Sequence, residues 1–209
     1  SGLSGTGKTQ LLIHFARLYC QVLGLDLSLH LATVPVSPDW RDPSGLLGYL
    51  NTLGEEAVFH VEPALQLVLN AADDPGNPYF LLLDEMNLAR VERYFAPFLS
   101  AMETGDALVL HTEDADSVGV PGRIQWPRNL FMGGTVNMDE TTHPFSDKVL
   151  DRAFTFEFWD IDLATFFKRS PIRDPRTETL LTRAHDALYP ARRHFGYRTA
   201  GEVLAFVAA

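Results

Sequence analysis

The sequence carries one cysteine, Cys20, among 209 residues. A lone thiol excludes an internal disulfide framework and any metal cluster built on paired cysteines. No apolar run approaches the roughly 18 residues that span a bilayer, and the first residues lack the charged-then-apolar layout of a signal peptide. Positive charge is also scarce: 17 Lys and Arg stand against 27 Asp and Glu, a formal net charge of −10. Bulk electrostatics will not hold such a chain on DNA, RNA or anionic lipid, so any such partner needs a local basic patch or another subunit. Seven histidines (His14, His30, His60, His111, His143, His185 and His194) show no H-x-x-x-H or His/Cys spacing, and zinc is not expected. Internal repeats and low-complexity tracts are missing too. These absences describe a chain expected to be soluble and cytoplasmic, without a membrane partner.

What is present is an ordinary globular balance, 46% hydrophobic with 21% charged, against a norm of roughly 45–50% apolar and about 25% charged. That composition argues against disorder, and the length suits one large domain or a domain with a small appendage.

The chain opens on Gly2-Leu3-Ser4-Gly5-Thr6-Gly7-Lys8-Thr9, which fills every fixed position of G-x-x-x-x-G-K-[ST]. Glycines let the backbone turn tightly and aim successive N–H groups at phosphate oxygens where side chains would obstruct them. Lys8 is a point charge for the β/γ-phosphates, and the Thr9 hydroxyl is placed to ligate Mg²⁺. From Gln10 to Tyr19 apolar residues recur at three and four, so a helix starts here with its positive end toward the anion. The competing reading is a chance glycine-rich turn. A buried strand directly before Gly2 would complete the pattern, and that strand and the upstream regions are expected to lie outside this sequence.

Further along, Pro78-Tyr79-Phe80-Leu81-Leu82-Leu83 is a continuous apolar run ending in Asp84-Glu85. Such a run suits a strand buried on both faces of a parallel sheet. In a phosphate-loop enzyme the Asp at that strand end holds Mg²⁺ and the adjacent Glu orients and deprotonates the attacking water; otherwise the pair caps the next helix. Asn137 ends the strand Asn129–Asn137, where a neutral amide can hold the γ-phosphate or the lytic water, or form a turn. Arg152, in Lys148-Val149-Leu150-Asp151-Arg152-Ala153, suits a guanidinium given to a neighbouring subunit, or an ion pair with Asp151 or Glu157. Arg198 is placed to reach back to the nucleotide in cis, or simply to be solvated.

Between these motifs the pattern predicts a strand over Leu27–Val36, a turn and short helical piece over Asp42–Tyr49, and a hairpin over Tyr49–Val61 around Gly54. Helices are predicted over Pro63–Ala72 and Arg90–Glu103. A second hairpin is expected from Ala107–His111 and Gly122–Trp126, with the acidic loop Glu113-Asp114-Ala115-Asp116 as a mobile tip. Phe154–Phe158 alternates as a last strand, and helices follow over Ile161–Lys168, Thr177–Leu188 and Thr199–Val207. The expected architecture is α/β: a parallel-sheet core over residues 1–160, then a small all-helical subdomain over 161–209. Trp40 and Trp126 read as packing residues, with Trp126 on a hairpin that could face a pore. Cys20 reads as core, and Arg192-Arg193-His194 and Lys168-Arg169 as solvated spots or ring contacts.

Gly-Leu-Ser-Gly-Thr-Gly-Lys-Thr, Leu-Leu-Leu-Asp-Glu-Met-Asn-Leu-Ala-Arg, Asn137, the Leu-Asp-Arg-Ala element and Gly-Tyr-Arg together resemble an AAA+ NTPase over nearly the whole chain. Asn87, two residues beyond Glu85, and the two hairpins resemble the branch of MoxR chaperones and McrB-type restriction motors. The resemblance implies a P-loop AAA+ core with hairpin insertions and a helical lid. It places Gly2, Ser4, Gly5, Thr6, Gly7, Lys8, Thr9 and Gln10 at the nucleotide, with Lys8 and Thr9 in the Walker A role. Asp84 and Glu85 become Walker B, with Thr9 and Asp84 at Mg²⁺; Asn137 becomes sensor 1, Arg152 a trans arginine finger and Arg198 sensor 2. It also implies a homo-oligomeric ring, a hexamer, with nucleotide at subunit interfaces and a partner effector such as a nuclease, or a remodelled client. Nucleic acid would be gripped only through flanking domains or the assembled pore. McrB-type motors read nearer Met-Asn-Thr-Ala-Asp after the sensor strand, a segment linked with GTP use. Here that segment is Val136-Asn137-Met138-Asp139-Glu140-Thr141-Thr142, so ATP is expected ahead of GTP.

Overall fold

The structure is a computed structural model that describes residues 1–54, 57–113, 115–137 and 142–209. Asp114 of the expected acidic tip, Met138 to Thr141 of the segment after the sensor strand, and Glu55-Glu56 of the first hairpin lie outside the described residues. The chain begins with α1 (Lys8–Leu23), α2 (Leu27–His30) and β1 (Leu31–Pro35). Then come α3 (Ser44–Leu47), the antiparallel pair β2 (Tyr49–Asn51) and β3 (Val58–His60), and α4 (Pro63–Asp73). Next are β4 (Tyr79–Asp84), a 3₁₀ turn (Met86–Leu88), α5 (Val91–Tyr94) and α6 (Ala96–Thr104). A second antiparallel pair, β5 (Leu108–Val109) and β6 (Arg123–Ile124), encloses α7 (Ala115–Val118) and leads into β7 (Leu130–Gly134). The chain ends on α8 (Asp147–Leu150), α9 (Leu163–Arg169), α10 (Pro175–Leu188) and α11 (Tyr197–Ala208).

The three longest strands form one parallel sheet in the order β1-β4-β7. In register, Leu31 faces Phe80 and Pro35 faces Asp84, while Tyr79 faces Leu130 and Leu83 faces Gly134. The central β4 is paired on both edges and buried from Tyr79 to Leu83, which is why its sequence is continuously apolar rather than alternating. Helix α4 begins with Pro63, whose fixed φ and missing N–H suit a first turn. It packs Leu65 and Val68, with Tyr94 and Phe98 of the following helices, into the main core beside Leu81. Burying such side chains contributes roughly 1.5–3 kcal/mol each. Asn129 ties the end of α4 to the start of β7 by donating from Nδ2 to the carbonyls of Ala71, Asp74 and Asn77 at 3.1, 2.9 and 2.7 Å. Trp40 packs edge-on against Tyr94, and Trp126 against Phe98; both serve the core. Cys20 is buried with Ala16 and Phe80 under α1.

Residues 161–209 build their own apolar cluster from Leu163, Phe167, Leu181, Ala200 and Leu204. Asp162 and Asp174 cap α9 and α10 by accepting the Thr165 and Thr177 N–H groups at 2.9 and 3.0 Å, contacts that stabilise a helix by about 1 kcal/mol each.

Five expected elements differ. The strand expected over Asn129–Asn137 runs only from Leu130 to Gly134, because its ladder partner β4 ends at Asp84, and Asn137 lies three residues beyond it. The run Leu27–Val36 is not all strand: Asp26 accepts the Ser28 N–H at 2.9 Å, and this cap starts a helical turn that delays β1 to Leu31. The helix expected over Arg90–Glu103 is broken at Phe95, because Pro97 has no N–H to give and must sit in a first turn. Phe154–Phe158 forms no strand. A strand needs a ladder, and among the described residues only Ser1 and Gly2 pair with it, through the Phe158 N–H to Ser1 O bond at 2.9 Å and a parallel bridge at Gly2. Phe154 and Phe156 stand exposed. The second hairpin is shorter than expected, two residues a side, and Ala115–Val118 within its connection is helical. No helix among the described residues is long and apolar enough to cross a membrane.

Candidate functional site

The loop Gly2–Gly7 delivers the chain into α1 with two left-handed glycines. Gly7, at φ 85°, is the residue before the first helical turn, a conformation costly for any residue with a Cβ. Gly5, at φ +74°, also lies so close to α11 that an added Cβ would stand 2.9 Å from Cβ of Arg198. Lys8 and Thr9 therefore occupy the first turn of α1, beside N–H groups that have no partner within the helix.

Across from the loop, β4 ends on Asp84, with Glu85 the next residue. Glu85 holds φ 53°, an uncommon left-handed setting for a residue with a side chain. Thr135, 4% exposed and one residue past β7, keeps it there. Its hydroxyl accepts the Glu85 N–H at 2.9 Å and donates to Asp84 Oδ1 at 2.6 Å. The Thr9 hydroxyl donates to the same Asp84 oxygen at 2.6 Å. Asn137 completes the ring of contacts: its Oδ1 accepts from Lys8 Nζ at 2.9 Å, and its Nδ2 donates to Glu85 Oε1 at 2.7 Å. Lys8 spends its remaining donors on the carbonyls of Gly2 and Leu3, at 3.2 and 2.6 Å.

Lys8 is 8% exposed. Burial pushes its ammonium below the ordinary 10.5, and nearby Arg198 adds to that, while Asp84 and Glu85 pull the other way.

A cavity of about 190 Å³ is lined by Ser4, Gly5, Thr6, Gly7, Lys8, Thr9, Gln10, Asp84, Glu85, Thr135, Asn137 and Arg198. It thus gathers eleven of the thirteen side chains and loop residues singled out from the sequence, drawn from both ends of the chain. Arg198 arrives on the first turn of α11, whose N–H bonds to Gly5 O at 3.3 Å. Gly2 does not line the cavity; it bridges Asn137 and Phe158 behind the loop. Arg152 is elsewhere, just past α8, with Nη2 2.6 Å from Glu103 Oε2 and Nη1 donating to Lys148 O at 2.5 Å. Its ion-pair partner is Glu103 rather than Asp151 or Glu157.

Two residues escaped the sequence reading of the site. Thr135 is the first side chain after Gly133-Gly134, and a hydroxyl at a strand end was a signal available beside Asn137. Asn87, marked only as part of a resemblance, is buried behind Asn137.

Chemically, the arrangement offers a cradle of N–H groups, two cations and two carboxylates. Among the described residues no cluster of three or more His, Cys, Asp or Glu side chains is assembled. The donors that do converge, the Thr9 hydroxyl and the Asp84 carboxylate, are hard oxygens. That set fits Mg²⁺, which takes one or two protein oxygens and completes its shell from water and phosphate. Compared with known proteins, the sequence matches no family model and no curated protein.

Proposed function

We propose that this chain is the catalytic unit of a Mg²⁺-dependent nucleoside triphosphatase of AAA+ type, using ATP in preference to GTP. The observation that carries the reading is the single cavity in which Lys8, Thr9, Asp84, Glu85, Asn137 and Arg198 meet. The loop N–H groups and Lys8 bind the β- and γ-phosphates, and Arg198 closes on them from the helical segment, acting as a lid. Thr9 and Asp84 hold Mg²⁺, which when bound neutralises charge developing on the phosphate oxygens. Glu85 accepts a proton from the attacking water, and Asn137 orients Glu85 and that water through its amide. At about 190 Å³ the cavity is smaller than the roughly 300–1,000 Å³ of a site enclosing a whole ligand. It suits the phosphate tail, leaving base and ribose to surfaces beyond it.

Arg152 lies outside that cavity on the α8 side, which supports a role in a neighbouring subunit's site within a homo-oligomeric ring. Such a ring would drive a partner effector, a McrB-like restriction or defence nuclease, or a client remodelled as by the MoxR chaperones. The deciding measurement is hydrolysis of MgATP and MgGTP by the wild type and by Glu85→Gln. The variant should bind nucleotide yet lose at least about 100-fold in turnover, as removal of a general base does. Equal rates in the two proteins would overturn the assignment.

A further inference from the structure

We propose that Asn87 is the positioning residue of this site, setting the Asn137 carboxamide between Lys8 and Glu85; the idea rests on the triphosphatase reading above. Asn137 needs such a support because it lies past the end of β7 at Gly134, where among the described residues its backbone has one bridge to Gly2 and one bond from the Thr142 hydroxyl to its carbonyl, at 3.0 Å. Asn87, 2% exposed in the turn that follows Glu85, supplies it from both sides. Its Nδ2 donates to the Asn137 carbonyl at 2.8 Å, and its Oδ1 accepts the Asn137 N–H at 3.3 Å. With both main-chain groups held, only the two side-chain torsions, about Cα–Cβ and Cβ–Cγ, decide where the Asn137 amide points. It points with its oxygen to Lys8 and its nitrogen to Glu85, at 2.9 and 2.7 Å.

The turn carrying Asn87 is itself anchored. The Met86 N–H donates to Thr135 O at 2.8 Å, and the Tyr94 hydroxyl to Met86 O at 2.8 Å. Asn87 in turn accepts the His143 N–H on its own carbonyl at 2.9 Å. Only a carboxamide of this length satisfies one donor and one acceptor at this spacing. An Asp keeps the acceptor and loses the donor, which among the described residues leaves the Asn137 carbonyl to the Thr142 hydroxyl alone, at 3.0 Å, and sets a carboxylate against it. Displacements of about 1 Å at groups that orient a reacting water cost up to roughly 100-fold in rate.

The test compares wild type, Asn87→Asp, Asn87→Ala, Asn137→Ala and the Asn87→Ala/Asn137→Ala double variant. Three quantities are read: kcat with MgATP and MgGTP, Kd for a non-hydrolysable triphosphate, and the NMR signals of the Asn137 side-chain amide in nucleotide-free protein. Those signals are identified by their loss in Asn137→Ala. Asn87→Ala and Asn87→Asp should each lower kcat roughly 10–100-fold with Kd within about threefold, since the interaction is made through a reacting group and not with bound phosphate. In the Asn137→Ala background Asn87→Ala should cost nothing more, because it acts through a side chain already gone. Asn87→Asp should also move the Asn137 amide signals. Should Asn87→Ala fail to fold, Asn87→Asp, which preserves volume, carries the same comparisons. Unchanged kcat, additive losses in the double variant, or unmoved amide signals would each overturn the proposal. Absence of hydrolysis by the wild type is a different result and defeats the triphosphatase reading itself.

Discussion

Thr135 joins the Asp84 carboxylate to the Glu85 main chain through one hydroxyl. Replacing it with the isosteric Val removes the donor to Asp84 and the acceptor for the Glu85 N–H, leaving that N–H unpaired beside an already left-handed residue. Thr135→Val should cost roughly 10–100-fold in turnover, the usual scale for a group that orients ligands of a metal site. Thr135→Ser should restore most of it. If Val and Ser behave alike in a hydrolysis assay, the hydroxyl is not what matters. Lys8 gives a second outcome at this scale. Its proton is held less tightly in the folded protein than in the unfolded chain, so between the lowered value and the ordinary 10.5 the unfolded state binds more protons. Stability from this group therefore rises as pH climbs through that window. Thermal melts of nucleotide-free wild type and Lys8→Met across alkaline pH should show the wild type gaining relative to the variant; a constant gap would refute the sign. Lys8 and Thr9 were legible in the sequence because their pattern is short and local. Thr135 was not, since its role depends on the register that sets β7 beside β4.

Elements differ in how much of their environment lies within their own sequence. Strand β4 could be read directly: burial on both faces forces an unbroken apolar run, and the chain ends that run with the two carboxylates of the site. Phe154–Phe158 has the alternation of a strand, but a strand exists only with a partner, and alternation says nothing about whether one is present. The break between α5 and α6 was visible as Pro97 yet was overridden by the surrounding helical periodicity. These differences predict different costs on truncation. Leu81 is fully buried at the centre of β4, whereas Phe154 is 99% exposed. Leu81→Ala should destabilise by about 2–5 kcal/mol, lowering Tm by roughly 5–20 °C for a chain of this length. Phe154→Ala should stay within about 0.5 kcal/mol. Comparable losses in calorimetry would mean that Phe154 is covered and the sheet extends to it.

For the whole molecule, the formal charge of −10 gives way to a local balance: Lys8 and Arg198 converge from opposite ends of the chain on one cavity, where they meet Asp84 and Glu85. Arg152 is the cation singled out from the sequence that the fold withholds from that cavity, paired at 2.6 Å with Glu103. If its destination is a neighbour's triphosphate, the site is complete only in an assembly, and two kinds of damage become complementary. Glu85→Gln leaves a subunit unable to activate water but able to lend Arg152. Arg152→Ala leaves it with an intact cavity and nothing to lend. Each variant alone should bind nucleotide and hydrolyse it poorly, the arginine loss costing about 10³-fold or more. Mixed in equal amounts under conditions where subunits exchange, they should recover activity. In a head-to-tail ring about one interface in four then pairs an intact cavity with an intact arginine. The expected recovery is thus roughly a quarter of the wild-type rate, and it should vanish below the concentration at which the oligomer, followed by light scattering, dissociates. No recovery in a mixture shown to co-assemble would confine Arg152 to its ion pair with Glu103 and remove the physical ground for a shared site.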